Sequence, residues 1–283
     1  MELNKIFLDN FIRQALAEDV GSGDHTSLAT IPMGTLGKAQ LIIKDDGIIA
    51  GVEVAKAIFN AVDSDLSVEV LIEDGTEVQY GDIGMYVEGS VHSILLAERL
   101  VLNTMQRMSG IATVTNHIKK KLAGTGTQVL DTRKTTPGLR YLEKLAVTIG
   151  GGVNHRFGLY DMILIKDNHI DYAGGVTKAL DATMKYLKDK NLSIPVEIEI
   201  RNLDELTQVL DYDCIDRILL DNFEFDRLKE AVALINGKFI TEASGGITDE
   251  NALQYAECGV DYISMGALTH SVKSLDISLK AIR

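Results

Sequence analysis

Cysteine is scarce in this chain: 283 residues hold only Cys214 and Cys258, with no C-x-x-C pair and no surplus for a disulfide framework. A reducing, cytoplasmic setting is the expectation that follows. Long hydrophobic runs are missing too. No stretch reaches the ~20 apolar residues that cross a bilayer, so no membrane partner is expected. The apolar start from Met1 to Phe11 is broken by Asp9 and Asn10, which argues against a secretory signal. Positive charge is in deficit. With 28 basic against 41 acidic side chains, the net charge of −13 speaks against a surface that binds nucleic acid broadly. Six histidines without a Cys/His cluster also disfavour structural zinc.

What is present is ordinary for a globular protein, 46% hydrophobic and 24% charged. The length suits two domains, or one barrel with an appendage. Against the acidic background, Thr132 to Lys166 carries six basic residues and two acidic ones, a local balance of +4 that leaves −17 for the rest. Any anionic ligand belongs there. Arg140 and Lys144, four apart on a helix expected after Pro137, are read as lining its outer face.

The first part of the chain is of mixed type. Phe7 to Ala17 and Val52 to Val62 read as helices, Lys38 to Gly51 as strand, turn and strand, and Ser67 to Val87 as short antiparallel strands. Ser93 to Ser109 reads as a long helix, with a domain boundary near Gly110. Beyond it, strands alternate with helices, the pattern of parallel β/α units. Expected strands are Gln128–Asp131, Met162–Ile165, Val196–Ile200, Arg217–Leu220, Phe239–Glu242 and Tyr262–Met265. Three segments repeat a form that opens on Asp: Asp161 to Lys166, Asp216 to Asp221 and Asp261 to Gly266.

In a β/α barrel the carboxyl ends of the strands share one mouth. Those ends supply Thr132, Arg133 and Lys134, then Lys166, Glu199, Asp221, Ser244, Gly245, Gly246 and Gly266. With His155 and Arg156, the cations suit carboxylates or phosphates. Glu199 and Asp221 suit Mg²⁺, or ion pairs with the basic pocket. Glu197 shares a face with Glu199 but lies farther from the mouth, which makes it the weaker candidate. The glycine turns after two successive strands suit a phosphate, aided by a helix expected to start near Thr248 or Asp249.

Five ordered motifs carry a resemblance: Thr132 to Arg140 (TRKTTPGLR), Gly150 to Arg156 (GGGVNHR), Leu164 to His169 (LIKDNH), Leu219 to Phe223 (LLDNF) and Glu242 to Ile247 (EASGGI). With the loop Glu18 to Asp24 and the pair Glu98-Arg99, the chain resembles the quinolinate phosphoribosyltransferases, also called nicotinate-nucleotide pyrophosphorylases (carboxylating). The resemblance implies an α/β fold. A mixed α/β N-terminal domain, 1–109, dimerises and caps the neighbour's site. An incomplete, seven-stranded β/α barrel, 110–283, follows and ends in a helical tail. It implies a transferase of NAD biosynthesis that joins quinolinate to phosphoribosyl pyrophosphate with Mg²⁺, releasing pyrophosphate and carbon dioxide. By position, Arg133, His155, Arg156 and Lys166 would receive the quinolinate carboxylates, with Lys134 beside them. Glu199 and Asp221 would face ribose and metal, and Ser244, Gly245, Gly246 and Gly266 the 5′-phosphate. Lys134, Lys166, Glu199 and Asp221 are the expected catalytic set, and Arg99 would come from the other subunit of a homodimer.

Two other classes stay open on the residues alone. One is a Schiff-base aldolase or decarboxylase with Lys166 as nucleophile. The other is a phosphosugar-binding protein without catalysis.

Overall fold

The computed structural model describes residues 4–282, which pack as two compact units. One holds the chain up to Asn116, Thr136–Gly151 and the chain from Leu268 onward; the other holds His117–Thr135 and Gly152–Ala267. In chain order the elements begin α1 (Lys5–Val20), α2 (His25–Thr30), β1 (Leu36–Ile43), β2 (Gly47–Ile48), α3 (Val52–Val62), β3 (Ser67–Val70), β4 (Glu77–Val78), β5 (Ile83–Ser90) and α4 (Val91–Lys121). Then come β6 (Gln128–Leu130), α5 (Arg140–Ile149), β7 (Ile163–Ile165), α6 (Asp167–Ala173), α7 (Val176–Lys190), β8 (Val196–Ile200) and α8 (Leu203–Val209). The chain closes with β9 (Arg217–Asp221), α9 (Phe225–Ile235), β10 (Ile240–Ser244), α10 (Ala252–Ala256), β11 (Tyr262–Ser264), α11 (Ala267–His270) and β12 (Ile277–Ile282).

The first unit is built on an antiparallel sheet of order β12-β1-β5-β3. Ala39, Leu41 and Ile43 of β1 are buried and alternate with more open neighbours, as one core-facing sheet surface requires. The expected C-terminal helical tail is corrected here. Ile277 and Leu279 are buried while Ser278 and Lys280 are not, a period of two, and β12 pairs along β1 from Ile277 opposite Ile43 to Ile282 opposite Lys38.

Gly110 does not end a helix either. α4 runs through it to Lys121, and the glycine serves a close approach instead: a Cβ there would lie 2.3 Å from the Lys273 carbonyl oxygen. The outer-face reading of α5 also fails for one residue. Lys144 is fully buried and Arg140 partly so, while the buried Glu143 carboxylate accepts Arg107 Nη2 at 2.8 Å and the Thr136 N–H at 3.0 Å.

The second unit holds six parallel strands in the order β6-β11-β10-β9-β8-β7, a partial β/α barrel. All six expected strands are there. The seventh is reduced to a parallel bridge between Leu130 and Val153. The Val153 N–H donates to Val129 O, and the Asp131 N–H donates to Val153 O. Ladder growth stops there because the Asp131 carboxylate takes the next N–H, that of His155, at 2.8 Å. All five residues of β8 are buried, as a central parallel strand demands. No helix among the described residues is long and apolar enough to cross a membrane.

Candidate active site

Asp131, just past β6, organises one wall of the site. It is wholly buried, and it accepts Asn154 Nδ2 at 2.6 Å as well as the His155 N–H. The segment carrying His155 and Arg156 is thereby held beside Thr132–Lys134. The Arg156 N–H donates to His155 Nδ1 at 2.6 Å, and Arg156 Nη1 donates to Met162 O at 3.2 Å. Asp161 receives the N–H groups of Phe157 and Gly158 at 2.6 and 2.9 Å. Burial raises that carboxyl, but these bonds and Arg156 prevail and hold it below the usual carboxylate range. Lys166 follows β7, its N–H donating to His169 Nδ1 at 2.9 Å where α6 begins, and its Nζ stands 3.5 Å from Glu199 Oε2.

These side chains enclose a cavity of about 320 Å³. Seven residues named from the sequence line it: Thr132, Arg133, Lys134, His155, Arg156, Lys166 and Ser244. Glu199, Asp221, Gly245, Gly246 and Gly266 lie off the lining, at or just beyond strand ends. Arg99 is exposed on α4 and is not among the lining residues. The helix expected near Thr248 or Asp249 begins at Ala252, after a turn in which the Thr248 N–H donates to Asn251 Oδ1 at 2.8 Å. Its dipole therefore does not aid the glycine turn, whose Gly245 and Gly246 have φ of +95° and +62°.

Leu164, Leu219 and Glu242 also line the cavity and were missed, and Ser264, read only as the start of a phosphate-holding turn, lines it too. Each precedes a strand-end residue by two positions: Lys166, Asp221, Ser244 and Gly266. Alternation along a strand puts such pairs on one face, a signal the sequence does carry. Glu197 stands in the same relation to Glu199.

Two groups of carboxylates differ in kind. Glu197 and Glu242 are buried with His155, their ligand atoms within 4.8 Å of one another. His155 Nε2 lies 2.8 Å from Glu197 Oε2, an ion-pair distance without hydrogen-bond alignment, and 3.6 Å from Glu242 Oε2. Arg217 Nη1 donates to Glu242 Oε2 at 2.9 Å. Burial pushes Glu197 up to about 7 against the pull of Arg217, and Glu242 up to about 7 with repulsion from Glu197 added. A guanidinium already pairs Glu242, so this trio reads as a charge-compensated floor, not a metal site. His155 has both ring nitrogens turned to protein groups in this arrangement.

Glu199 and Asp221 are the other group. Burial raises both carboxyls; Lys166 opposes this at Glu199, and at Asp221 the Asn222 amide and Lys166 do. Asp221 also repels the Glu199 carboxylate and adds to its rise. Two oxygen donors that gain from a shared cation fit Mg²⁺, a hard ion that keeps several waters and substrate phosphates as its remaining ligands.

A partial β/α barrel that gathers four cations, with paired carboxylates at adjoining strand ends, is the site of an enzyme acting on polyanions. Residues 24–109 match the family model for the quinolinate phosphoribosyl transferase N-terminal domain, and residues 111–280 that for the C-terminal domain. The chain belongs to the quinolinate phosphoribosyltransferase family, and its class is that of the phosphoribosyltransferases. It is 50% identical over 288 residues to quinolinate phosphoribosyltransferase (decarboxylating) 2b, mitochondrial, of Nicotiana tabacum, covering 96% of this chain and 82% of that one. It is 43% identical to the nicotinate-nucleotide pyrophosphorylase (carboxylating) of Mycobacterium leprae, covering 95% of both. The fold matches the nicotinate-nucleotide pyrophosphorylase structure from Francisella tularensis with a TM-score of 0.93 and 38% identity, over 99% of this chain and 98% of the other.

Proposed function

We propose that the protein transfers phosphoribosyl from phosphoribosyl pyrophosphate to the ring nitrogen of quinolinate, with decarboxylation, in NAD biosynthesis. The products are nicotinate mononucleotide, pyrophosphate and carbon dioxide. One observation carries this reading: a chain of net charge −13 places Arg133, Lys134, Arg156 and Lys166 around one cavity. Two anionic substrates repel each other unless cations screen both.

Arg133, Arg156 and Lys166 receive the two quinolinate carboxylates, and the His155 ring accepts the Arg156 backbone N–H and so fixes the main chain there. The Ser244–Gly246 turn and Gly266 hold the 5′-phosphate through backbone N–H groups. Glu199 and Asp221 would hold Mg²⁺, whose contribution when bound is to neutralise the departing pyrophosphate. As the nitrogen–carbon bond forms and the carbon–oxygen bond to pyrophosphate breaks, positive charge grows on the sugar, and the same two carboxylates stabilise it. The alkylated ring then loses its adjacent carboxylate. The electron pair stays on the ring carbon beside the cationic nitrogen and is protonated, so no organic electron sink is needed.

The competent unit in this reading is a homodimer, with exposed Arg99 serving the partner's site. Free Cys214 and Cys258 suit a reducing compartment such as the cytoplasm. Purified protein with quinolinate, phosphoribosyl pyrophosphate and Mg²⁺ should release nicotinate mononucleotide and carbon dioxide in equal amounts. Turnover of nicotinate in place of quinolinate would overturn the acceptor. Arg99→Ala and Lys166→Ala, each severely impaired alone at sub-saturating quinolinate, should regain activity when mixed; no recovery after proven subunit exchange would overturn the shared site.

A further inference from the structure

Asn222 follows the β9 carboxylate directly, and no step above uses it. Its backbone is left-handed, with φ of +54°, a conformation shared by two other non-glycine residues among those described. Those two, Asn191 and Asn236, end helices α7 and α9, where a left-handed stop is common. Asn222 ends a strand, so helix termination does not account for it.

Its contacts run in two directions. The side-chain Nδ2 donates to Asp221 Oδ2 at 2.5 Å, which fixes one oxygen of that carboxylate and leaves Oδ1 for a ligand. The backbone N–H donates to Ser244 O at 2.8 Å, across to the end of β10. Oδ1 of the amide lies so close to the neighbouring turn that a Cβ on Gly245 would sit 2.3 Å from it. One residue thus touches both the Asp221 carboxylate and the Ser244–Gly245 turn. A carboxylate torsion is broad when nothing holds it, and here the amide holds it relative to the turn.

We propose that Asn222 is a positioning residue that locks the Asp221 carboxylate and the Ser244–Gly245 turn into one register, so that the metal end and the 5′-phosphate end of the sugar donor are gripped together. This rests on the reading of Asp221 and the Ser244–Gly246 turn given above. It assigns Asn222 to donor binding and leaves acceptor binding to the cations of β6, β7 and the 153–156 segment.

Asn222→Gly and Asn222→Asp in the full chain separate this from a simple turn role. Glycine keeps the left-handed backbone and removes the amide; aspartate also tolerates that backbone but turns an acceptor toward Asp221. KM for each substrate, kcat and donor affinity by calorimetry at low and high Mg²⁺ are the readouts. Both variants should raise KM for phosphoribosyl pyrophosphate roughly ten- to a hundredfold, the loss expected for a hydrogen bond to a charged group. KM for quinolinate should stay within about twofold, as the acceptor cations are untouched. If Asn222→Gly retains wild-type donor KM, the residue is only a turn former and the proposal is overturned. Asp221→Asn is measured alongside. An unchanged donor KM in that variant overturns the underlying grip, whereas a raised one with Asn222→Gly unchanged removes Asn222 alone. Should Asn222→Gly fold poorly, Asn222→Asp carries the same decision.

Discussion

The cations and carboxylates of the site differ in how they are neutralised, and this decides what each side chain is free to do. Lys166 is half-exposed and meets Glu199 at 3.5 Å, so it stays mobile enough to engage a ligand. Lys166→Ala is expected to raise KM for quinolinate by roughly ten- to a hundredfold, and steady-state kinetics with saturating donor would show it. Glu242, by contrast, is buried against Arg217 and Glu197 and raised to about 7 from 4.5. An acid raised on folding favours the folded state while protonated: that contribution is full below 4.5 and is lost as the pH rises through about 7. Thermal midpoints measured from about pH 5 to about pH 8 should fall less steeply for Glu242→Gln than for wild type. Equal slopes would mean the group does not titrate in that range. At this scale the strand-end residues were legible because barrel chemistry fixes where they must stand. Glu242 was passed over and Glu197 ranked below Glu199, although alternation placed both on the right face, because a carboxylate inside an apolar run shows its value only when Arg217 and His155 arrive from other elements.

Among the elements, two of the three Asp-initiated repeats mark more than strand spacing. Asp216 Oδ2 accepts the Val196 N–H at 2.7 Å, and Asp261 Oδ2 accepts both the N–H and the hydroxyl of Thr241 at 2.7 Å. Each aspartate sits before its own strand and braces the strand beside it, at the end of the barrel away from the chemistry. Asp261→Ala removes two such bonds, each contributing about 1 kcal/mol. It is expected to lower the thermal midpoint by roughly 4–8 °C while leaving both KM values unchanged; an altered KM would show that this end of the barrel reaches the site. Gly110→Ala forces a methyl against the Lys273 carbonyl and is expected to cost about 1–3 kcal/mol in a denaturant titration. These two elements explain where the sequence misled. A glycine within a helical pattern is read as a stop unless the chain segment that packs on it is known, and β12 is too short to be told from a helical tail until β1 offers its open edge.

For the whole molecule the governing quantity is charge distribution. The chain repels polyanions at long range, yet concentrates four cations on one cavity of the second unit. Screening by salt should therefore weaken substrate binding less than it would for an open surface site, because Arg156 is buried and Arg133 partly so, and both feel the solvent only in part. That clustering was visible as the +4 window, although two of its six cations, Arg140 and Lys144, belong to the first unit and not to the cavity. Where the two substrates sit relative to these cations is decisive. A crystal structure with quinolinate and an unreactive phosphoribosyl pyrophosphate analogue should show both quinolinate carboxylates at hydrogen-bond distance from Arg133, Arg156 and Lys166, with the analogue against Asp221 and the Ser244–Gly245 turn. Those cations turned away from either molecule would contradict it.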